Sequence, residues 1–157
     1  MSVPVPVPSM AELKAKLPRG KRLLGFDVGE KTIGLALSDT TLTVASPMAT
    51  LLRVKFTKDV ERIRAIVSEQ GVGGFVVGLP INMDGSEGPR CQSVRQFAAN
   101  LLEKIDLPLV FWDERLSTAA VTRTLLEADM SRKRRRETVD KMAAAYILQG
   151  ALDAARG

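Results

Sequence analysis

The chain has 157 residues, of which 45% are hydrophobic and 26% are charged, as is typical of one soluble globular domain and too short for a two-lobed enzyme. No apolar run approaches the roughly 20 residues of a membrane helix, so no membrane association is predicted. Histidine is absent, which leaves catalysis to carboxylates, lysines or a hard metal ion. The single cysteine, Cys91, cannot form an intramolecular disulfide, which favours a cytoplasmic location.

The net charge of +5 comes from one segment, the basic tract. Without its five cations, 18 basic residues balance 18 acidic ones. A concentrated basic patch attracts polyanions by releasing their counterions, which indicates nucleic acid or an acidic surface as a partner. A solvated loop between helices explains the tract equally well. The basic tract consists of Arg132, Lys133, Arg134, Arg135 and Arg136.

The first 20 residues are predicted to form a leader and a short helix, separate from a domain that spans residues 21–157. Repeated prolines in residues 1–8 favour an extended, solvated and disordered tail. Ser9 and Glu12 form a capping box that begins a short helix, and Pro18 ends it.

Strands dominate the next part of the chain. Residues 23–29 and 33–39 predict a hairpin around a polar turn at 30–32. A third strand is expected over about 43–52, with Pro47 at a sheet edge or a bulge because proline donates no ladder hydrogen bond.

Helices and strands then alternate, which predicts parallel pairing. Apolar residues at helical spacing run from Val60 to a stop at Gly71, and Pro89 suits the first turn of another helix. The order predicts an α/β fold with a mixed five-stranded sheet: an antiparallel meander of three strands, then two parallel strands, with helices on both faces. The remaining expected elements are strands at 74–79 and 107–112 and helices at about 117–127 and 138–154.

Asp27 is the most unusual residue, because it lies inside an apolar strand. An ionised carboxylate is costly to bury there unless it is paired or binds a metal. Gly25 and Gly29 on either side let a ligand or a neighbouring backbone come close. A carboxylate that caps a turn at the strand end is the less favoured alternative.

Two further carboxylates lie at positions where sites or helix starts occur. Asp113, Glu114 and Arg115 follow the last strand, at the carboxyl end where open α/β sheets place their sites, although a polar loop would look the same. Asp140 falls in the first turn of the last expected helix, where the helix dipole alone favours an acid. The small side chains of residues 143–145 would let this helix pack closely and bring Asp140 toward Asp27, although helix propensity also explains them.

Four sequence blocks in chain order resemble the YqgF/RuvX family of pre-16S rRNA nucleases and Holliday junction resolvases. The blocks are GFDVG (25–29) with KTIGLA (31–36) and SD (38–39); GLP (78–80) with NMDGSEGP (82–89); DER (113–115) with ST (117–118); and DKMAA (140–144) with IL (147–148). The resemblance covers the chain from Arg22 onward and implies a ribonuclease H-like fold. It also implies that Asp27, Glu114 and Asp140 are the catalytic, metal-binding carboxylates and that Asp113 supports them.

Such a trio suits phosphodiester hydrolysis, since carboxylate oxygens prefer Mg²⁺ or Mn²⁺ and one or two ions would activate water and stabilise the leaving oxygen. Lys31 and Arg115 are candidates for holding phosphate oxygens, or for pairing with the same acids. Asn82 begins a glycine-containing loop that can support the substrate through backbone N–H groups or form only a tight turn.

The leading hypothesis is a metal-dependent nuclease that binds structured RNA and matures the 5′ end of pre-16S rRNA on a pre-ribosomal particle. A resolvase acting on DNA junctions is the alternative, and a non-catalytic RNA- or ribosome-binding module is a third. An Asp-x-Gly hairpin also opens sugar kinases and actins, but this chain has no second lobe and no Walker-type loop.

Overall fold

A mixed five-stranded sheet with helices on both faces forms the centre of the computed structural model, which describes residues 5–116 and 132–156. The strand order is β3-β2-β1-β4-β5. Antiparallel pairing joins β1 to β2 and β2 to β3, and parallel pairing joins β1 to β4 and β4 to β5, as predicted. The elements are α1 (Met10–Lys16), β1 (Arg22–Val28), β2 (Thr32–Ser38), β3 (Ala45–Leu52), α2 (Phe56–Gln70), β4 (Val72–Leu79), α3 (Pro89–Lys104), β5 (Leu109–Asp113), a 3₁₀ helix (Glu114–Leu116) and α4 (Arg132–Arg156).

Pro47 lies at a bulge on the edge strand β3, as expected for a residue without an N–H group. The register changes there, because Leu35 pairs with Ala49 whereas the next residue, Ala36, pairs with Pro47. Met48 is therefore the extra residue of the bulge.

Two apolar layers cover the sheet. One layer joins it to α2 and α3, and Phe26 meets the ring of Phe75 edge-on there at 5.3 Å. The other joins the sheet to α1 and α4, with Leu23 and Val76 packed beside the small residues of α4. Alternate residues of each strand point to opposite faces, so the continuous apolar runs of β1 and β4 fill both layers.

The predicted helix boundaries at Gly71 and Pro89 are confirmed. Gly71 caps α2 in the left-handed conformation, with φ of 65°, and its N–H group bonds to the Val67 carbonyl. Pro89 is the first residue of α3. Cys91 is a buried residue of α3, and burial raises the pKa of its thiol.

The last helix begins six residues earlier than predicted, at Arg132 instead of Thr138. The basic tract is therefore helical and not a loop, because arginine and lysine are good helix formers and no breaker separates them from residue 138. Asp140 accordingly lies in the third turn, so the expected placement in the first turn is wrong. The helix predicted over residues 117–127 lies outside the described residues.

The segment before α1 packs against the sheet. The Val7 N–H group donates to the Leu109 carbonyl at 2.7 Å, and Val7 forms a parallel bridge with Val110. Met10 and Leu13 of α1 are buried in the α4 layer, and the Ser9 hydroxyl accepts the Glu12 N–H at 3.3 Å. The docking of Val7 differs from the solvated tail expected over residues 1–8, because burying an apolar side chain favours docking. The boundary at residue 20 stays a prediction.

Within the described residues, no helix combines the length and apolar character needed to cross a bilayer.

Candidate active site

Asp27 is buried on the face of the sheet that α4 covers. Only 5% of its surface is exposed. Its neighbours Phe26 and Val28 belong to the α2–α3 layer, so strand alternation directs Asp27 to the opposite face. Its register partner on β2 is Gly34. The surroundings of Asp27 are therefore set by what packs over Gly34.

The backbone of α4 at Asp140 packs over Gly34. A Cβ atom built on Gly34 would lie 2.0 Å from the Asp140 carbonyl oxygen, so only glycine permits this approach. The hydroxyl of Thr32, two residues before Gly34, donates to the Asp140 carboxylate. The predicted approach of Asp140 toward Asp27 is therefore seen in the helix backbone.

Small residues on both partners make this approach possible. Ala143 and Ala144 of α4 are buried against the sheet. A Cβ atom on Gly25 would lie 2.8 Å from the Leu148 Cβ, so this glycine also admits the helix. The sequence leaves space beside Asp27 for a ligand or a neighbouring backbone. At Gly25, Leu148 of α4 fills that space.

Glu114 reaches toward the same region from the end of β5. It lies in the 3₁₀ helix with 7% of its surface exposed. A Cβ atom on Gly78 would lie 3.1 Å from the Glu114 Cγ, so the side chain lies over β4. Gly78 follows Val77, which pairs with Phe26 of β1. Glu114 therefore lies beside the end of β1 that carries Asp27.

The donor chemistry of these residues suits a hard divalent ion, because all three side chains offer carboxylate oxygens. Among the side chains of residues 5–116 and 139–156, however, no three acidic or thiol groups lie close enough together to hold one ion. The Asp140 carboxylate accepts the Thr32 hydroxyl instead. The described side chains therefore fit a metal in chemistry but do not form a closed ligand set.

Arg115 pairs with Asp113, the second of the two roles expected for it. Its Nε and Nη2 atoms donate to the two Asp113 carboxylate oxygens at 2.7–3.1 Å. The hydrogen bonds from Arg115 hold the pKa of Asp113 below its ordinary value, and the same pairing raises the pKa of Arg115. Its Nη1 lies 3.4 Å from the Asn82 carbonyl, so Arg115 connects the end of β5 to the Asn82 loop. Lys31 is exposed.

The Asn82 loop is a turn in which three N–H groups bond within the loop itself. The Gly85 N–H donates to the Asn82 carbonyl at 2.9 Å, and the Asn82 N–H donates to the Ser86 carbonyl at 3.0 Å. The Asp84 carboxylate accepts the Ser86 N–H at 2.9 Å, and Gly85 has φ of 89°. The tight turn accounts for these groups, which are not available to a phosphate.

The basic tract forms the first turns of α4, before Asp140. Four to eight residues separate the tract from Asp140, which corresponds to roughly 6–12 Å along a helix axis. The side chains of the tract lie outside what the structure describes.

Three supporting residues escaped prediction: Thr32, Gly34 and Gly78. All three fall in blocks of the family resemblance, but the sequence indicates no site role for them: it places Thr32 in a polar turn and the two glycines in strands. Glycines at regular strand positions on the face that a later helix covers are the pattern that could have indicated them.

The sheet order and pairing give the chain a ribonuclease H-like fold. The solved structure of RuvC from T. thermophilus with a Holliday junction substrate has this fold, with a TM-score of 0.51 and 13% identity over 87% of this chain and 96% of that one. Residues 21–154 match the model of the RuvX family, described as a Holliday junction resolvase. The chain belongs to the RuvX family, and this membership supports a hydrolase that acts on nucleic acid.

Close relatives carry a more specific name. A protein of Paramagnetospirillum magneticum is 66% identical over 149 residues, which cover 95% of this chain and 96% of the relative. A protein of Rhodospirillum centenum is 58% identical over 153 residues, which cover 94% of this chain and 81% of the relative. Both are named "Putative pre-16S rRNA nuclease".

Proposed function

We propose that this chain is a metal-dependent nuclease that matures the 5′ end of pre-16S rRNA. The observation that carries the proposal is the contact of the Asp140 backbone with Gly34, the register partner of Asp27. It brings the turn of α4 that carries Asp140 onto β2, at the residue paired with the buried Asp27 of β1. The names of the relatives support the substrate.

In this proposal, Asp27, Glu114 and Asp140 hold one or two Mg²⁺ or Mn²⁺ ions. Bound there, a divalent ion supplies a water of lowered pKa and stabilises the charge of the leaving oxygen. Thr32 orients the Asp140 carboxylate, and Asp113 holds Arg115 against the Asn82 loop. The absence of histidine leaves acid–base work at the site to these carboxylates and bound water.

The substrate in this proposal is structured RNA, presented on a pre-ribosomal particle in the cytoplasm. The basic tract at the start of α4 would grip the RNA backbone close to Asp140. Such contacts position a strand without reading its sequence.

The test is cleavage of a precursor 16S rRNA fragment by Asp27→Asn in the presence of Mn²⁺. We expect the rate to fall at least about 100-fold, because an amide cannot replace the charge that a carboxylate offers a cation. Asp106→Asn, an exposed acid just before β5, is the matched control and should cleave like the wild type. Undiminished cleavage by Asp27→Asn contradicts the proposal.

Junction resolution is the second candidate, favoured by the description of the family model. The same preparations tested side by side on a four-way DNA junction distinguish the two substrates. Faster Asp27-dependent cleavage of the junction than of the RNA fragment would favour resolution. Tight RNA binding by the wild type without cleavage of either substrate would favour a binding module.

A further inference from the structure

A cleft opens on the α2–α3 face of the sheet, at the same end of β1 as Asp27. It has a volume of about 490 Å³ and lies between the turn after β1, the connection from β3 to α2 and the start of α3. Val28 and Gly29, which directly follow Asp27, line one wall. The cleft therefore lies on the opposite face of the sheet from α4, next to the carboxylates but separate from them.

Two arginines are held in place at this cleft. The Arg53 Nη1 donates to the Gly29 carbonyl at 2.7 Å, and its guanidinium lies 5.4 Å from the centre of the Phe97 ring. The Arg90 Nη2 lies 3.5 Å from the Val28 carbonyl. A guanidinium has five N–H donors, so each arginine keeps others for a ligand. Because two contacts already fix the Arg53 side chain, it would lose little conformational entropy when a ligand binds.

The charge of the lining favours an anion. Lys55 adds a third cation, and the carboxylates of Glu30 and Asp59 also line the cleft. Asp59 is 1% exposed, and its carboxylate already has partners. It accepts hydrogen bonds from the Arg62 guanidinium at 2.5 Å and from the Val54 N–H group at 3.2 Å. Three cations therefore face one exposed carboxylate, Glu30.

We propose that this cleft binds a backbone phosphate of the nucleic acid strand, with Arg53, Lys55 and Arg90 as its ligands. The inference rests on the proposed nuclease function and adds a second point of attachment for the substrate. A strand held there crosses the end of β1 and reaches the carboxylates on the other face of the sheet. Arginine forks suit phosphodiester oxygens, and an attachment point beside the acids helps to fix the position of the strand.

The first test measures binding of a fluorescein-labelled precursor 16S rRNA fragment in EDTA, so that no cleavage occurs. Arg90→Ala and Lys55→Ala are compared with Lys104→Ala, which removes the same charge at the far end of α3. We expect each cleft variant to weaken binding about 5- to 10-fold and to reduce the slope of log Kd against log salt by about 0.7–0.9, because one phosphate contact is lost. Lys104→Ala should change neither quantity. All three positions are exposed, so thermal melting should confirm intact folding.

The second test locates the phosphate by neutralising the strand one position at a time with methylphosphonate. One position should weaken binding by the wild type and have no further effect on Arg90→Ala, as expected for two groups that contact each other. Inorganic phosphate is the control for a free-anion site. If it displaces the strand from the wild type at low millimolar concentration but not from Arg90→Ala, the cleft takes free phosphate and the strand assignment is wrong.

The two proposals can fail separately. Equal Kd values for Arg90→Ala, Lys55→Ala and Lys104→Ala, with cleavage abolished by Asp27→Asn, overturn the cleft and leave the nuclease site. Weakened binding in the cleft variants, with cleavage retained by Asp27→Asn, supports the cleft and overturns the carboxylate assignment.

Discussion

The Asp140 carbonyl oxygen lies where a side chain at Gly34 would begin, 2.0 Å from the position of its absent Cβ. Gly34 pairs with Asp27 across β1 and β2. Because Gly34 has no side chain, the turn of α4 that carries Asp140 can pack on the pair of strands, β1 and β2, that holds the buried Asp27.

Replacing Gly34 with alanine should push α4 away from the sheet. The new Cβ atom would meet the backbone at Asp140, which cannot move as a flexible side chain can. We expect a loss of about 3 kcal/mol in the free energy of unfolding, measured in urea, together with loss of cleavage. Gly88→Ala, whose Cβ would come no closer than 3.5 Å to Asn82, should cost at most about 1 kcal/mol from the changed helix cap. Equal unfolding midpoints for the two variants would refute the steric argument.

Replacing Thr32 with valine should weaken metal binding at the proposed site. Valine keeps the shape of threonine but cannot donate a hydrogen bond to the Asp140 carboxylate. Because groups that orient metal ligands affect affinity by 10- to 100-fold, we expect the Mn²⁺ concentration for half-maximal cleavage to rise about 10-fold. Thr32→Ser should restore the wild-type value. A valine variant with unchanged Mn²⁺ dependence would show that Thr32 does not position Asp140.

Breaking the Asp113–Arg115 pair should change stability in a pH-dependent way. The hydrogen bonds from Arg115 lower the pKa of Asp113 in the folded protein. The stabilisation from these hydrogen bonds is therefore fully present above the unfolded-state pKa of Asp113, near 3.8. It is lost as the pH falls through the lower pKa of Asp113 in the folded protein. Arg115→Gln should be less stable than the wild type in urea at about pH 7, and the difference should shrink by about pH 2.5. The same difference at both pH values would contradict this origin.

Removing three charges from the basic tract should weaken RNA binding without abolishing cleavage of short substrates. Arg134, Arg135 and Arg136 replaced together with alanine should lower the slope of log Kd against log salt by about 0.7 for each lost contact with a single strand. Alanine preserves the helix there, so the free energy of unfolding should change little. An unchanged salt slope would remove the tract from the RNA interface.

Much of the fold could be predicted from local pattern. The apolar runs of β1 and β4, the proline at the β3 bulge and the glycine that ends α2 each act within a few residues. The start of α4 is predicted six residues too late, because its first residues are charged and show no apolar stripe. The sequence does not predict the docking of Val7. The prolines on either side of Val7 favour an extended chain whether or not Val7 contacts another element.

For the candidate site, the sequence by itself determined the chemistry: no histidine, a carboxylate inside an apolar strand, and further acids after the last strand and in the last helix. Only the tertiary structure decided the surroundings of these acids. Thr32 and Asp140 are 108 residues apart in the chain. The pairing of Arg115 with Asp113 depends on the geometry at the end of β5. The reason is physical: periodicity reports the burial of one element at a time, whereas the approach of α4 to Gly34 depends on how two distant surfaces fit.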